Sequence, residues 1–124
     1  MNTQKTILVF EDQDDLRLLI RLTLRQLGRV DAYADARPVI ELVRAERAAL
    51  VVLDVQLGAG LSGLDICRDL KNGAAGHVPK VLMLSACGQQ SDIEAGLAAG
   101  ADRYVVKPFS PDSLVQAASS LLGD

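Results

Sequence analysis

Short runs of aliphatic and β-branched residues alternate along the chain with longer stretches whose apolar positions recur at a helical spacing. Thr6–Phe10 (TILVF) predicts a buried strand; acidic residues follow, then a helix from about Asp14 to Leu27 that Gly28 should stop. Val30–Tyr33 predicts a weak second strand. A short helix then spans about Ala36 to Ala45, with Asp35 as N-cap and Pro38 tolerated in its first turn. Leu50–Leu53 is a third strand ending at Asp54, and a glycine-rich loop leads from it into a helix starting near Ser62. Lys80–Ser85 (KVLMLS) is the fourth strand. Ser91-Asp92-Ile93-Glu94 reads as a capping box opening the next helix, which Gly100 closes. Arg103–Val106 is the fifth strand. Ser110-Pro111 then supplies an N-cap and a proline at the first position of a last helix through Leu122.

Five strands in strict alternation with five helices, the strands being near-continuous apolar runs, imply a parallel sheet covered on both faces. The predicted class is α/β, a doubly wound five-stranded parallel sheet with strand order 2-1-3-4-5. No linker, repeat or low-complexity segment interrupts it. One domain over residues 1–124 is therefore expected, with no output domain in the chain.

Composition narrows the function. The chain is 49% hydrophobic but only 3% aromatic, so its core is aliphatic and stacking platforms for bases or sugars are scarce. A net charge of −3 argues against nucleic-acid binding through this domain. No apolar run reaches membrane-spanning length and the N-terminus lacks a signal-peptide pattern, so a cytoplasmic location is expected. Cys67 and Cys87 are isolated, with no histidine at ligand spacing, and read as ordinary thiols.

In open parallel sheets the functional crevice lies beyond the C-terminal ends of the strands. Strand one ends in Glu11-Asp12, strand three in Asp54, strand four in Ser85 and strand five in Lys107-Pro108. Three neighbouring carboxylates and one lysine leave an excess of about two negative charges, which repel by several kcal/mol at intermediate dielectric. A hard divalent cation offsets them, and so few carboxylates suit Mg2+, which keeps several waters. Such a site points to phosphoryl transfer onto a carboxylate, with a lysine and a hydroxyl holding the remaining oxygens. Singly, each residue has a plainer reading: an acid after a strand is usually a helix cap, and Lys-Pro is commonly a turn. Convergence at one sheet edge favours the chemical reading.

The segments ILVFEDQDDLR, VVLDVQL, VLMLSA and GADRYVVKPF together resemble a two-component response-regulator receiver domain of the chemotaxis-Y-like kind, over essentially the whole chain. That resemblance implies a flavodoxin-like (βα)5 fold with Asp54 as phosphoacceptor. It implies Glu11, Asp12, Asp54 and the Gln56 carbonyl around Mg2+, Asp12 more directly than Glu11. Ser85 and Lys107 would bind phosphoryl oxygens, with a cis Lys107–Pro108 peptide placing the lysine. Tyr104 would swing inward as Ser85 moves, altering the face of helix four, strand five and helix five. Implied partners are a sensor histidine kinase or histidine phosphotransfer protein and a downstream target or output domain, with room for a homodimer formed on phosphorylation. The domain would catalyse only its own phosphorylation and dephosphorylation. The competing expectation is a receiver-like interaction module that works without phosphorylation.

Two departures from the family pattern stand out. Leu57-Gly58 replaces the usual Met-Pro, and the glycine eight residues after the acceptor corresponds to Gly63, nine residues on. The loop should be more mobile, with consequences for phosphate lifetime. Cys87 lies where the family tunes access of hydrolytic water.

Gly58-Ala59-Gly60-Leu61-Ser62-Gly63 is a literal GxGxxG, but it follows the third strand, Asp54 would face the pyrophosphate, and Leu82–Leu84 stand where the ribose-binding acid belongs. A haloacid-dehalogenase-type phosphatase needs a second acid where Gln56 stands. Helix one carries more leucines than one core stripe needs, leaving Leu18 and Leu22 exposed beside Arg17, Arg21 and Arg25. These arginines read as a solvated face, or as a docking surface for the phosphodonor. His77, in a loop with no partner group, is not the donor.

Overall fold

A computed structural model describes residues 4–57, 60–86 and 90–123, and the side chains of residues 90–92 are outside the description. Its elements are β1 (Thr6–Phe10), α1 (Asp14–Leu24), β2 (Arg29–Tyr33), α2 (Val39–Glu46), β3 (Leu50–Asp54), α3 (Gly63–Lys71), β4 (Lys80–Ser85), α4 (Gln90–Ala98), β5 (Arg103–Val106) and α5 (Pro111–Leu121). The strands form one parallel sheet in the order β2-β1-β3-β4-β5, as predicted.

The pleat explains why the central strands read as unbroken apolar runs. Ile7 and Val9, Leu50 and Val52, and Leu82 and Leu84 pack with Ile20 and Leu24 of α1 and Leu114 and Ala118 of α5. Their neighbours Leu8 and Phe10, Val51 and Leu53, and Val81 and Met83 pack on the other face with Val39 and Val43 of α2 and Cys67 and Leu70 of α3. Both side-chain rows are fully buried, each leucine or valine contributing about 1.5–3 kcal/mol through lost apolar surface. The edge strands β2 and β5 are only half covered, which is why β2 reads weakly.

Several helix boundaries differ from expectation for local reasons. α1 ends at Leu24, before Gly28. Gly28 serves close approach instead, because a Cβ there would stand 2.4 Å from the Lys5 carbonyl oxygen. α2 begins at Val39, and Asp35 does not cap it. Arg37 precedes a proline and is biased away from helical geometry. Asp35 accepts the Arg37 backbone N–H (2.9 Å) and pairs with its guanidinium. α3 and α5 start as expected, with Ser62 Oγ accepting from Leu64 N (3.2 Å) and Ser110 Oγ from Ser113 N (3.1 Å). α4 is already helical at Gln90, so Ser91 is not its first residue, and the proposed capping contact falls outside the described side chains. Gly100 closes α4 at φ +101°, as expected.

Candidate functional site

The alternation that sorts the core also aims the polar strand ends. Glu11 continues the Ile7–Val9 row, Asp54 the Leu50–Val52 row, and Lys107 follows Val105, so all three belong to the face covered by α1 and α5. Lys107 Nζ accordingly bonds both Asp54 Oδ2 and Glu11 Oε1, the latter at 3.1 Å. Its peptide bond to Pro108 is cis, as expected. The Lys107 N–H donates to Ser85 O (2.7 Å), tying the lysine's backbone to β4.

The second oxygen of each buried acid is held by backbone. Gln56 N–H donates to Asp54 Oδ1 (2.9 Å) and Gln13 N–H to Glu11 Oε2 (3.1 Å). Burial pushes the Glu11 carboxyl above its ordinary range, and the neighbouring Asp54 charge adds to this against the pull of Gln13 N–H and Lys107. Burial alone would lower the Lys107 ammonium. Its bonds to Asp54 and Glu11 outweigh that and leave it raised.

Asp12, Asp54, Gln56, Ser85 and Lys107 line one polar cleft of about 270 Å3. Of the residues singled out from sequence, these five are brought together at one edge. Glu11 is fully buried and reaches the cleft through Lys107. Tyr104 stands apart, half-buried against the α3 face of the sheet. Among the described residues no three His, Cys, Asp or Glu side chains are grouped as metal ligands. The acids lining the cleft are instead Asp12 and Asp54, whose donors are carboxylate oxygens. That all-oxygen set fits Mg2+ completed by water.

The loop after Asp54 is held at both ends. Leu57 N–H donates to Leu61 O (3.3 Å), Gly63 N–H to Val55 O (2.7 Å), and Gln56 pairs with Ser62 in an antiparallel bridge. A Cβ at Gly63 would stand 2.0 Å from Asp54 O, so this glycine lets α3 close against the end of β3. Gly58 and Ala59, on which the expected mobility turned, lie outside the described residues, as does Cys87.

Sequence reasoning missed two contacts. Arg17 is no free surface charge: it donates to Glu11 O (3.0 Å) and pairs with Asp14 (2.6 Å), latching the acidic loop to α1. His77 does have a partner, its Nε2 lying 2.9 Å from Ala48 O. The bonds to Glu11 O and Ala48 O are not visible in local pattern, since each acceptor is a backbone carbonyl. On α1, Leu18 and Leu22 are exposed as expected, and Leu19 joins them. Leu16 and Leu19 line a broad groove of about 860 Å3 that runs to Lys107, Pro108 and Phe109.

The family model described as "Response regulator receiver domain" matches residues 7–119. The chain belongs to the response-regulator receiver family. Receivers are signalling domains of two-component systems and generally bind Mg2+ at their phosphorylation site. Similar proteins include the transcriptional regulatory protein CseB of Streptomyces coelicolor, 40% identical over 116 residues, covering 93% of this receiver and 48% of CseB. The DNA-binding response regulator MtrA of Mycolicibacterium smegmatis is 39% identical over 113 residues, covering 90% of this chain and 48% of MtrA. The receiver thus spans about half the length of these relatives. Among solved structures it is similar to response regulator DrrB, described as a Thermotoga maritima OmpR/PhoB homologue. That match has a TM-score of 0.87 and 31% identity, and covers 97% of this chain and 53% of that one. A BeF3-activated DrrB receiver domain matches with a TM-score of 0.87 and 30% identity over 98% of this chain and 100% of that one. Among the described residues, no helix of the receiver is long and apolar enough to cross a membrane.

Proposed function

We propose that Asp54 is the phosphoacceptor of this receiver. The observation that carries this is the Lys107 ammonium bonded to Asp54 and Glu11 at the mouth of a cleft shared with Asp12, Gln56 and Ser85. Lys107 and Ser85 stand where they can take the oxygens of an incoming phosphoryl group. Asp54 Oδ2, held by Lys107, is the attacking oxygen. Its bond to phosphorus forms as the donor's P–N bond breaks, and the departing imidazole keeps the electron pair and takes up a proton. Asp12, Asp54 and the Gln56 carbonyl would hold Mg2+, with Glu11 orienting Lys107. The bound ion would supply positive charge that lets an anionic phosphoryl group approach an anionic carboxylate.

The donor is a histidine kinase or histidine phosphotransfer protein. Exposed Leu18, Leu19 and Leu22 and the groove reaching Phe109 offer it an apolar platform beside the acceptor. Covalent phosphate adds about −1.5 to −2 charges and biases the conformation through Ser85 and Tyr104. The reader of that change is an output domain or separate protein, without nucleic acid bound by this domain, in the cytoplasm. Incubation with acetyl phosphate and Mg2+, followed by intact mass measurement, tests the proposal. A gain of one phosphoryl group that requires Mg2+ and is lost in Asp54→Asn supports it. No gain would instead favour a phosphorylation-independent interaction module.

A further inference from the structure

Gly96 lies in α4 and is buried. An ideal Cβ at this position would fall 2.7 Å from Cδ2 and 2.8 Å from Cε2 of Tyr104, with the Tyr104 Cγ next at 4.0 Å. The space a side chain at Gly96 would fill is thus taken by the Cδ2–Cε2 edge of the Tyr104 ring. Tyr104 pairs with Met83 in the sheet, two residues before the Val106–Ser85 pair. The carbonyl of Gly96 is itself held by Ala101 N–H (3.2 Å) in the turn that leads into β5. Ring, glycine and strand entry therefore form one packed unit.

We propose that Gly96 is a positioning residue for the switch: it provides the seat in which the Tyr104 ring rests against α4. This rests on the reading of Tyr104 as the aromatic that follows phosphorylation at Asp54. Ordinary contact begins near 3.4 Å, so a methyl at position 96 would drive the ring back by about 0.7 Å. The ring hangs on two rotatable bonds and can leave the seat, unlike a backbone carbonyl. A side chain at 96 would therefore change the cost of one Tyr104 position relative to the other, and with it the response to phosphate.

The sign of a stability change makes this testable. Alanine is a better helix former than glycine, so Gly96→Ala should stabilise α4 unless the ring obstructs it. Four proteins are compared: wild type, Gly96→Ala, Tyr104→Ala and the double variant. Thermal midpoints are measured without ligand, and affinity for Mg2+ with beryllofluoride, a phosphoryl mimic, by calorimetry. Gly96→Ala is expected to lower the thermal midpoint when Tyr104 is present and to raise it in the Tyr104→Ala background. Beryllofluoride affinity should change by about threefold or more with Tyr104 present, and by much less without it. A thermal shift of the same sign in both backgrounds, or equal affinity changes in both, overturns the proposal. If wild type itself takes no beryllofluoride, the phosphoacceptor reading has failed, and with it the switch role assigned to Gly96. A flat cycle on a wild type that does bind refutes the Gly96 inference alone.

Discussion

Replacing Gly63 by alanine perturbs the acceptor without touching any polar side chain. The new Cβ would stand 2.0 Å from Asp54 O, 2.9 Å from Asp54 C and 3.0 Å from Val55 Cα. All three are backbone atoms of the strand end that carries the acceptor, so α3 and β3 must separate by roughly 1 Å, an overpacking strain of about 1–3 kcal/mol. The 2.7 Å bond from Gly63 N–H to Val55 O weakens as they part, costing about 1 kcal/mol more. Against this, alanine gains at most about 1 kcal/mol of helix propensity. The net loss is about 2 kcal/mol, a fall in Tm of roughly 6–10 °C for a domain of this size. A displacement of this order at a reacting group can slow chemistry by about a hundredfold. Differential scanning calorimetry and the rate of phosphorylation by acetyl phosphate measure the two effects. A Tm within about 2 °C of wild type with an undiminished rate would refute the close-approach reasoning.

Lys107→Met leaves the carboxylates of Glu11 and Asp54, both buried, without their shared cation and should cost about 1–3 kcal/mol in urea unfolding, with Mg2+ recovering part of it. Unchanged stability would mean the lysine bridge is not formed in solution. Burial pushes the Cys67 thiol up to about 11, and its Sγ lies 3.6 Å from Ala99 O. Iodoacetamide should therefore leave Cys67 unmodified in the folded protein at pH 8, with peptide mapping showing reaction only on unfolding or as the pH approaches that value.

The fold was legible because its signal is periodic and repeated. β1, β3 and β4 are buried on both faces, and their apolar runs cannot be confused with the amphipathic stretches between them. Asp54, Ser85 and Lys107 were legible for a topological reason, since strand ends in such a sheet must share one edge. What local pattern could not show was pairing through space. Lys107 bridging Glu11 and Asp54, Arg17 on Glu11 O, and His77 on Ala48 O each join elements distant in the chain or use a backbone acceptor. Glycine was the least readable residue. Gly28 looked like a helix stop, and Gly63 read only as the counterpart of the family's loop glycine. Both instead make room for a backbone carbonyl.

The central claim is that the carboxylate of Asp54, rather than Glu11, Asp12 or a surface acid, receives the phosphoryl group. Borohydride reduction of the phosphorylated protein converts an aspartyl phosphate to homoserine, which peptide mass spectrometry locates. Homoserine at position 54 and nowhere else is the expected result. Homoserine at another aspartate, or a phosphoryl mass gain with position 54 unreduced, would contradict it.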